Sequence, residues 1–377
     1  MKILFLTESL SIEMGGLATG TLHLAIGLSN HFCKSEHQIL THEDNSNCSF
    51  EEEYKIPRNL KIIKLPKFGP KFYPIALSMR ESIKSFNPDI LYLKGLWRQT
   101  SIEAYTWKKS NPDKILIVSP AGMLQSRPLQ NKKIFKLISI YFIEKKLFKV
   151  CDLLQCVSLL EKNHLMYSNY IFKKIVFIPE GLPKINYQSK NKNNFSKELV
   201  TITRIDPIKG IDILIKACKN LDFNGWKVII YGNGSKEYIK KLKNMIIKNN
   251  VNGKVILKEG VFGDYKYQVL DNASAFILPS HSESFGISVA EAMNFGLPVI
   301  TTTKTPWSII SKKNLGWITK PEVEELKLVL KKLFYSSERE LYKIGRNAKQ
   351  YISKTYDLME TSRQMKEEII LLMKNKS

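Results

Sequence analysis

Glu283 and Glu291 stand on either side of a Phe285-Gly286 turn in the stretch PSHSESFGISVAEAMNFGLPVITTT, residues 279–303. The run AFILPS (275–280) reads as a buried strand, SESFG as a loop, ISVAEAMNFG as a short helix ending at Gly296, and PVITT as the next strand. The first amides of such a helix carry partial positive charge and have no internal acceptor, so a diphosphate settles there. Gly286 lets the backbone come close to that ligand. Two turns into the helix, Glu291 offers an acceptor-only carboxylate to the paired hydroxyls of a ribose, and Glu283, before the turn, faces a sugar. The chemistry this spacing suits is the grip of a nucleotide sugar. The competing reading is a pair of acids that cap and solvate a surface helix, since acidic residues favour first turns in any case.

A second constellation lies in TRIDPIKGID (203–212). Arg204 ends a strand and Lys209 precedes the Gly210 that opens a helix, so both cations fall at one strand-to-helix turn. There they can reach one diphosphate, Arg204 through its planar fork and Lys209 as a point charge, and neutralise a departing leaving group. Two basic residues in a Lys-rich chain can also coincide by chance. Gly15 and Gly16 form a loop after the first strand, where glycine keeps side chains away from a substrate. Gly232 and Gly234 in YGNGS follow another strand, but a G-x-G without the rest of the dinucleotide fingerprint is weak.

These segments resemble the retaining glycosyltransferases of family 4, which carry the E-x7-E segment in the C-terminal domain of a GT-B fold. The resemblance spans nearly the whole chain, with its specific motifs between 203 and 298. It implies an α/β molecule of two Rossmann-like domains facing across a deep cleft, with a C-terminal helix crossing back to the first domain. It also implies that Glu283 contacts donor-sugar hydroxyls and Glu291 the ribose. The backbone of Ser284, Phe285, Gly286, Ile287 and Ser288 meets the diphosphate, with Arg204 and Lys209 on the phosphates and Gly16 in the N-terminal glycine loop. Arg204, Lys209 and Glu283 are the expected catalytic residues, acting on a UDP-sugar without an enzyme nucleophile. Residues 258–263 fall where relatives read the base.

Two positions depart from the family. Ala121-Gly122 stands where many relatives place a His that points at the donor sugar, and Lys94 stands where a His before GLW is common. Lys94 and Arg98 are therefore the acceptor-side candidates. No D-x-D and no His/Cys cluster of metal spacing occurs, so the site is expected to work without a metal. The resemblance leaves open a GDP-mannose enzyme of the same fold and a glycan-binding relative without catalysis.

The elements that must position these residues follow from an α/β alternation along all 377 residues. KILFLTE, HQILTH, LKIIKLP, PDILYLKG and KILIVSPAG read as strands of a first domain, with helices at 17–32 and 74–86. ELVTITR, WKVIIYG and KVILKEG open a second domain, and a long helical tail runs from about 338. The polar stretch 184–198 is the linker. The expected division is 1–183 (acceptor side), 184–355 (donor side) and a returning helix at 356–377.

Composition, at 44% hydrophobic and 25% charged, is that of a globular protein, and no leader or spanning segment is apparent. Five cysteines without C-x2-C spacing read as reduced, so the chain is expected in the cytoplasm. The net charge of +23 admits nucleic acid, anionic lipid or anionic substrates as partners. Nucleic acid is disfavoured because aromatic and basic residues interleave in no recognised module. Residues 131–149 read as a basic amphipathic helix suited to an anionic inner-leaflet surface, or to an ordinary helix packed on the sheet. The expected acceptor is a growing glycan, on a lipid-linked saccharide of a bacterial surface polymer.

Overall fold

The computed structural model describes the chain except residues 12–13, 44–53, 71–72, 126–138, 169, 186, 188–194 and 377. It separates into two units, Met1–Pro183 together with Tyr356–Ser377, and Lys184–Thr355.

The first unit is built on seven strands: β1 (Lys2–Thr7), β2 (Glu36–His42), β3 (Leu60–Leu65), β4 (Ile90–Lys94), β5 (Ile115–Ser119), β6 (Leu153–Cys156) and β7 (Ile175–Phe177). Their order is β3-β2-β1-β4-β5-β6-β7, every pair parallel. A parallel sheet is covered on both faces, which is why β1, β4 and β5 read as unbroken apolar runs rather than alternating ones. The helix Gly16–His31 and the last helix, Leu358–Lys374, pack on one another, and Leu358, Met365 and Ile369 join the core that holds Phe5 and Tyr92. Gly27 permits the approach: a Cβ there would stand 2.5 Å from Ser362 Oγ.

The second unit carries β8 (Glu198–Ile202), β9 (Lys227–Tyr231), β10 (Val255–Lys258), β11 (Ala275–Leu278), β12 (Val299–Thr302) and β13 (Gly316–Thr319) in the order β10-β9-β8-β11-β12-β13. All pairs are again parallel. Its core stacks Phe334 on Trp226 and Phe223, and Trp226 Nε1 donates to the Phe334 carbonyl at 3.2 Å. The two parallel-sheet, Rossmann-like units bear out the α/β expectation.

Several boundaries differ from the sequence reading. The helix expected over 74–86 begins only at Met79, because Ile75 forms an antiparallel bridge with Phe68 and a proline at 74 holds the preceding chain extended. The tail is two helices, Glu338–Thr355 and Leu358–Lys374. Asp357 starts the second by accepting the amides of Met359 and Glu360 at 2.9 and 3.1 Å. Of the basic segment 131–149, residues 131–138 lie outside the described residues. Ile140–Glu144 forms a π-helical turn that continues as the α-helix Lys145–Val150. Among the described residues no helix is long and apolar enough to cross a membrane.

Candidate active site

In the second unit β8 pairs with β9 on one side and β11 on the other, so the strand order reverses between β8 and β11. Successive connections leave the sheet in opposite directions there, and the gap beyond the strand ends is where open α/β sheets bind ligands. The two loops that flank this gap are 203–210 after β8 and 279–286 after β11. They carry the two motifs, and the His281 amide ties them together by donating to the Ile208 carbonyl at 2.8 Å.

Each loop is shaped by its own residues. Asp206 caps the Pro207–Lys209 turn by accepting the Ile208 amide at 3.0 Å. Gly210 then adopts φ 67°, and a Cβ there would lie 2.2 Å from the Pro279 carbonyl oxygen, so neither the dihedral nor the space admits a side chain. Gly286 turns the second loop into the helix Ile287–Asn294 at φ 81°, ψ 61°. Trp307 holds that turn from below: its Nε1 donates to the Phe285 carbonyl at 2.5 Å and its ring packs against the buried Phe285 ring at 5.2 Å. At Ile287 and Ser288 the amides begin the helix and have no intrahelical acceptor.

The charged groups converge on this turn. Lys209 Nζ lies 2.7 Å from Glu283 Oε1, and the same oxygen accepts Ser280 Oγ at 2.6 Å. Thr302 Oγ1 in turn donates to the Ser280 carbonyl at 2.6 Å. Lys266 Nζ lies 2.9 Å from Glu291 Oε1. Both glutamates thus spend one oxygen on a lysine. Arg204 is exposed and forms no ion pair among the described residues. Each glutamate is matched by a lysine and the Asp206 carboxylate by the Ile208 amide, whereas the Arg204 guanidinium has no ion pair among the described residues and the helix terminus adds partial positive charge, groups that favour an anion.

Arg204 and Lys209 therefore lie on the loop after β8, and Glu283, Ser284, Phe285, Gly286, Ile287, Ser288 and Glu291 on the adjoining loop and helix after β11. Two contributors went unread in the sequence, Lys266 and Trp307. Gly232 and Gly234 are explained by packing, since Cβ atoms there would stand 1.9 Å from the Thr203 carbonyl oxygen and 2.2 Å from that of Ile205.

The remaining candidates belong to the first unit, whose strand order reverses between β1 and β4. Gly16 opens the first helix, behind Gly15 at φ 56°, ψ −129°, a conformation essentially reserved for glycine. Lys94, expected on the acceptor side, is enclosed at the end of β4. Its Nζ lies 2.6 Å from Glu180 Oε1, against Gly20, so it serves a buried pair and not a solvent-facing contact. Arg98 bonds Glu8 at 2.8 Å, joining the loops after β4 and β1. Ala121 and Gly122, in place of the family His, adopt φ 50° and 82°, and the Gly122 amide is taken by buried Glu161 at 2.5 Å. Among the described residues no three His, Cys, Asp or Glu side chains gather as a metal site.

Comparison with known proteins locates the second unit. Residues 184–351 match the family described as glycosyl transferases group 1. An uncharacterized glycosyltransferase of Methanocaldococcus jannaschii, MJ1178, is 32% identical over 151 residues, 40% of each chain. A probable sucrose-phosphate synthase of Thermosipho melanesiensis is 29% identical over 180 residues, covering 45% of this chain and 43% of the relative. These matches span less than half the length of the curated relatives.

Solved structures align over the full length at low identity, which bears on the fold alone. Sucrose-phosphate synthase of Thermosynechococcus elongatus superposes with a TM-score of 0.80 at 14% identity, covering 100% of both chains. HepE of Anabaena in complex with UDP-glucose gives 0.80 at 18% identity, covering 98% of this chain and 99% of its own. The chain thus has the GT-B fold, and its residues 184–351 match the glycosyl transferases group 1 family.

Proposed function

We propose that the protein is a retaining glycosyltransferase that moves a hexose or N-acetylhexosamine from a UDP-sugar to a hydroxyl of a growing, lipid-linked surface glycan. The observation that carries the reading is that the Lys209–Glu283 pair brings the loop after β8 against the helix that starts at Gly286, with Glu291 in its second turn and Arg204 exposed on the same loop as Lys209, within the segment that matches the group 1 family. In this reading the Ile287 and Ser288 amides with Arg204 and Lys209 receive the diphosphate as the glycosidic bond breaks. Donors fixed before the reaction stabilise charge that develops only in the transition state. Glu283 orients the sugar and Glu291 the ribose. The leaving phosphate helps to deprotonate the acceptor, and no metal takes part. UDP as carrier is supported by the fold neighbour HepE, whose complexes hold UDP and UDP-glucose. A surface-glycan acceptor is supported by two similar proteins, WaaG, involved in lipopolysaccharide biosynthesis, and a putative colanic acid biosynthesis glycosyltransferase, WcaL, of Salmonella typhimurium.

Work on such an acceptor places the protein at the cytoplasmic membrane face, seated through 131–149. Supporting this, Tyr141 and Phe142 are 66% and 56% exposed beside exposed Lys145, Lys146 and Lys149. The acids of 139–174, Glu144, Asp152 and Glu161, are all buried, so the charge this segment presents is basic.

A thermal-shift screen of UDP, GDP and ADP and their sugars tests the donor assignment, because a ligand of the native state raises the melting temperature by mass action. UDP and one UDP-sugar are expected to raise it most. A larger shift with GDP would move the reading to a mannosyltransferase, and no shift with any of them would remove it.

A further inference from the structure

We infer that Lys266 is a positioning residue for the donor ribose: by fixing one oxygen of Glu291 it presents the other to the vicinal hydroxyls of the nucleoside. This rests on the donor reading above and assigns a residue outside both motifs.

Lys266 lies on the helix Gly263–Asn272, between β10 and β11, and is 7% exposed. A lysine so enclosed is rare unless its charge is matched, and the match here is Glu291 at 2.9 Å. The pair joins two different helices. Glu291 sits in the second turn of Ile287–Asn294, whose start is the proposed diphosphate seat, whereas Lys266 approaches from the neighbouring connection. The contact falls on Oε1 alone, and among the described residues Glu291 Oε2 takes no hydrogen bond. The Glu291 side chain is itself only 17% exposed, so its free oxygen faces a confined space.

The consequence is one of order before binding. An unpaired glutamate samples many rotamers, and a ligand that selects one of them loses the corresponding entropy from its affinity. With Oε1 already held, that loss falls on folding. The opposite flank is built alike, with Glu283 Oε1 held by Lys209 and Ser280. There, however, the lysine lies in the motif expected to meet phosphate. Lys266 is absent from that motif, so its effect on the donor passes through Glu291.

The test compares UDP with 2′-deoxy-UDP by titration calorimetry on the full chain, in the wild type and in Lys266→Met, Lys266→Arg and Glu291→Gln. The wild type is expected to prefer UDP by about tenfold or more, the size of a hydrogen bond to a charged group. Lys266→Met keeps the length and apolar stem but should bring the preference close to one, as should Glu291→Gln. Lys266→Arg should retain most of it. In turnover, Lys266→Met should raise the donor KM with kcat changed less than about threefold, the pattern of lost uniform binding.

Discrimination that persists in Lys266→Met overturns the role of Lys266 while leaving the donor reading intact. A wild type that binds UDP and 2′-deoxy-UDP equally overturns the ribose role of Glu291 and this inference with it. A wild type that binds no nucleotide overturns the donor reading itself. Melting curves for all variants separate these outcomes from misfolding, and Lys266→Gln, neutral but still polar, carries the comparison should the Met variant fail to fold, with the same loss of preference expected.

Discussion

At the scale of single residues, the site is a set of opposed charges held by backbone that only particular residues permit. Lys209 and Glu283 form a 2.7 Å pair, so in the proposed reading a diphosphate and a sugar would compete for groups that already satisfy one another. Glu283→Gln is therefore expected to bind UDP as tightly as wild type or tighter, since Lys209 is released, while transfer falls about a hundredfold with loss of the carboxylate. Binding and transfer measured on the same variant decide this; a parallel fall in both would contradict it. Gly210→Ala should cost about 2 kcal/mol or more in denaturant unfolding, because φ is 67° and the Cβ would meet the Pro279 carbonyl oxygen. A midpoint like that of wild type would show the loop able to move aside.

The two motifs were legible because their chemistry is local: a helix start, a glycine and a charge lie within a few residues of one another. Lys266 and Trp307 were not, because nothing in GDYKYQVLDN or in TPWS distinguishes a lysine or an indole that reaches across from another connection. Lys94 misled for the same reason. Its partner Glu180 is distant in sequence, and only the fold shows that the two close on each other under the first helix.

At the scale of elements, periodicity found the strands buried on both faces and the helices with one polar side. It missed the helix Gln99–Ser110, whose buried residues include Gln99, Thr100, Ser101, Glu103 and Lys108 as well as Ala104 and Trp107, so no apolar stripe stands out. It also missed β13, GWIT, a half-buried edge strand of four residues.

The π-helical turn at Ile140–Glu144 carries an element-scale prediction. Glu144 is fully buried, and its Oε1 accepts the Trp97 amide at 2.8 Å, steadying a loop residue at φ 65°. Burial pushes its carboxyl up to about 7, against the smaller lowering by the Trp97 amide. A carboxyl with a raised folded value binds its proton more tightly in the native state, so its contribution to stability is greatest below the unfolded value. That contribution falls as pH rises from about 4.5 to about 7. Glu144→Gln keeps an acceptor for Trp97 without the charge. It should match wild type near pH 4 and exceed it at pH 8 by up to about 3 kcal/mol in denaturant unfolding. Equal stability of the two proteins at pH 8 would show that water reaches the carboxylate.

At the scale of the whole molecule, each unit has its own sheet and core, and the last helix belongs to the first. Leu358, Met365, Ile369 and Leu372 are buried in the first unit's core, and burial of each such side chain contributes about 1.5–3 kcal/mol. The sum is comparable with the whole stability of an ordinary domain. Truncation after Thr355 is therefore expected to abolish the melting transition of the first unit by calorimetry and to leave that of the second. Retention of both transitions would contradict the packing described here.

The central claim is that the crevice between β8 and β11 receives the donor diphosphate. Titration of UDP onto wild type and onto an Arg204→Ala, Lys209→Ala double variant tests it most directly. A loss of affinity of about a hundredfold or more is predicted, as expected when two charge-assisted contacts to phosphate disappear. Unchanged UDP affinity in a folded double variant would contradict the account.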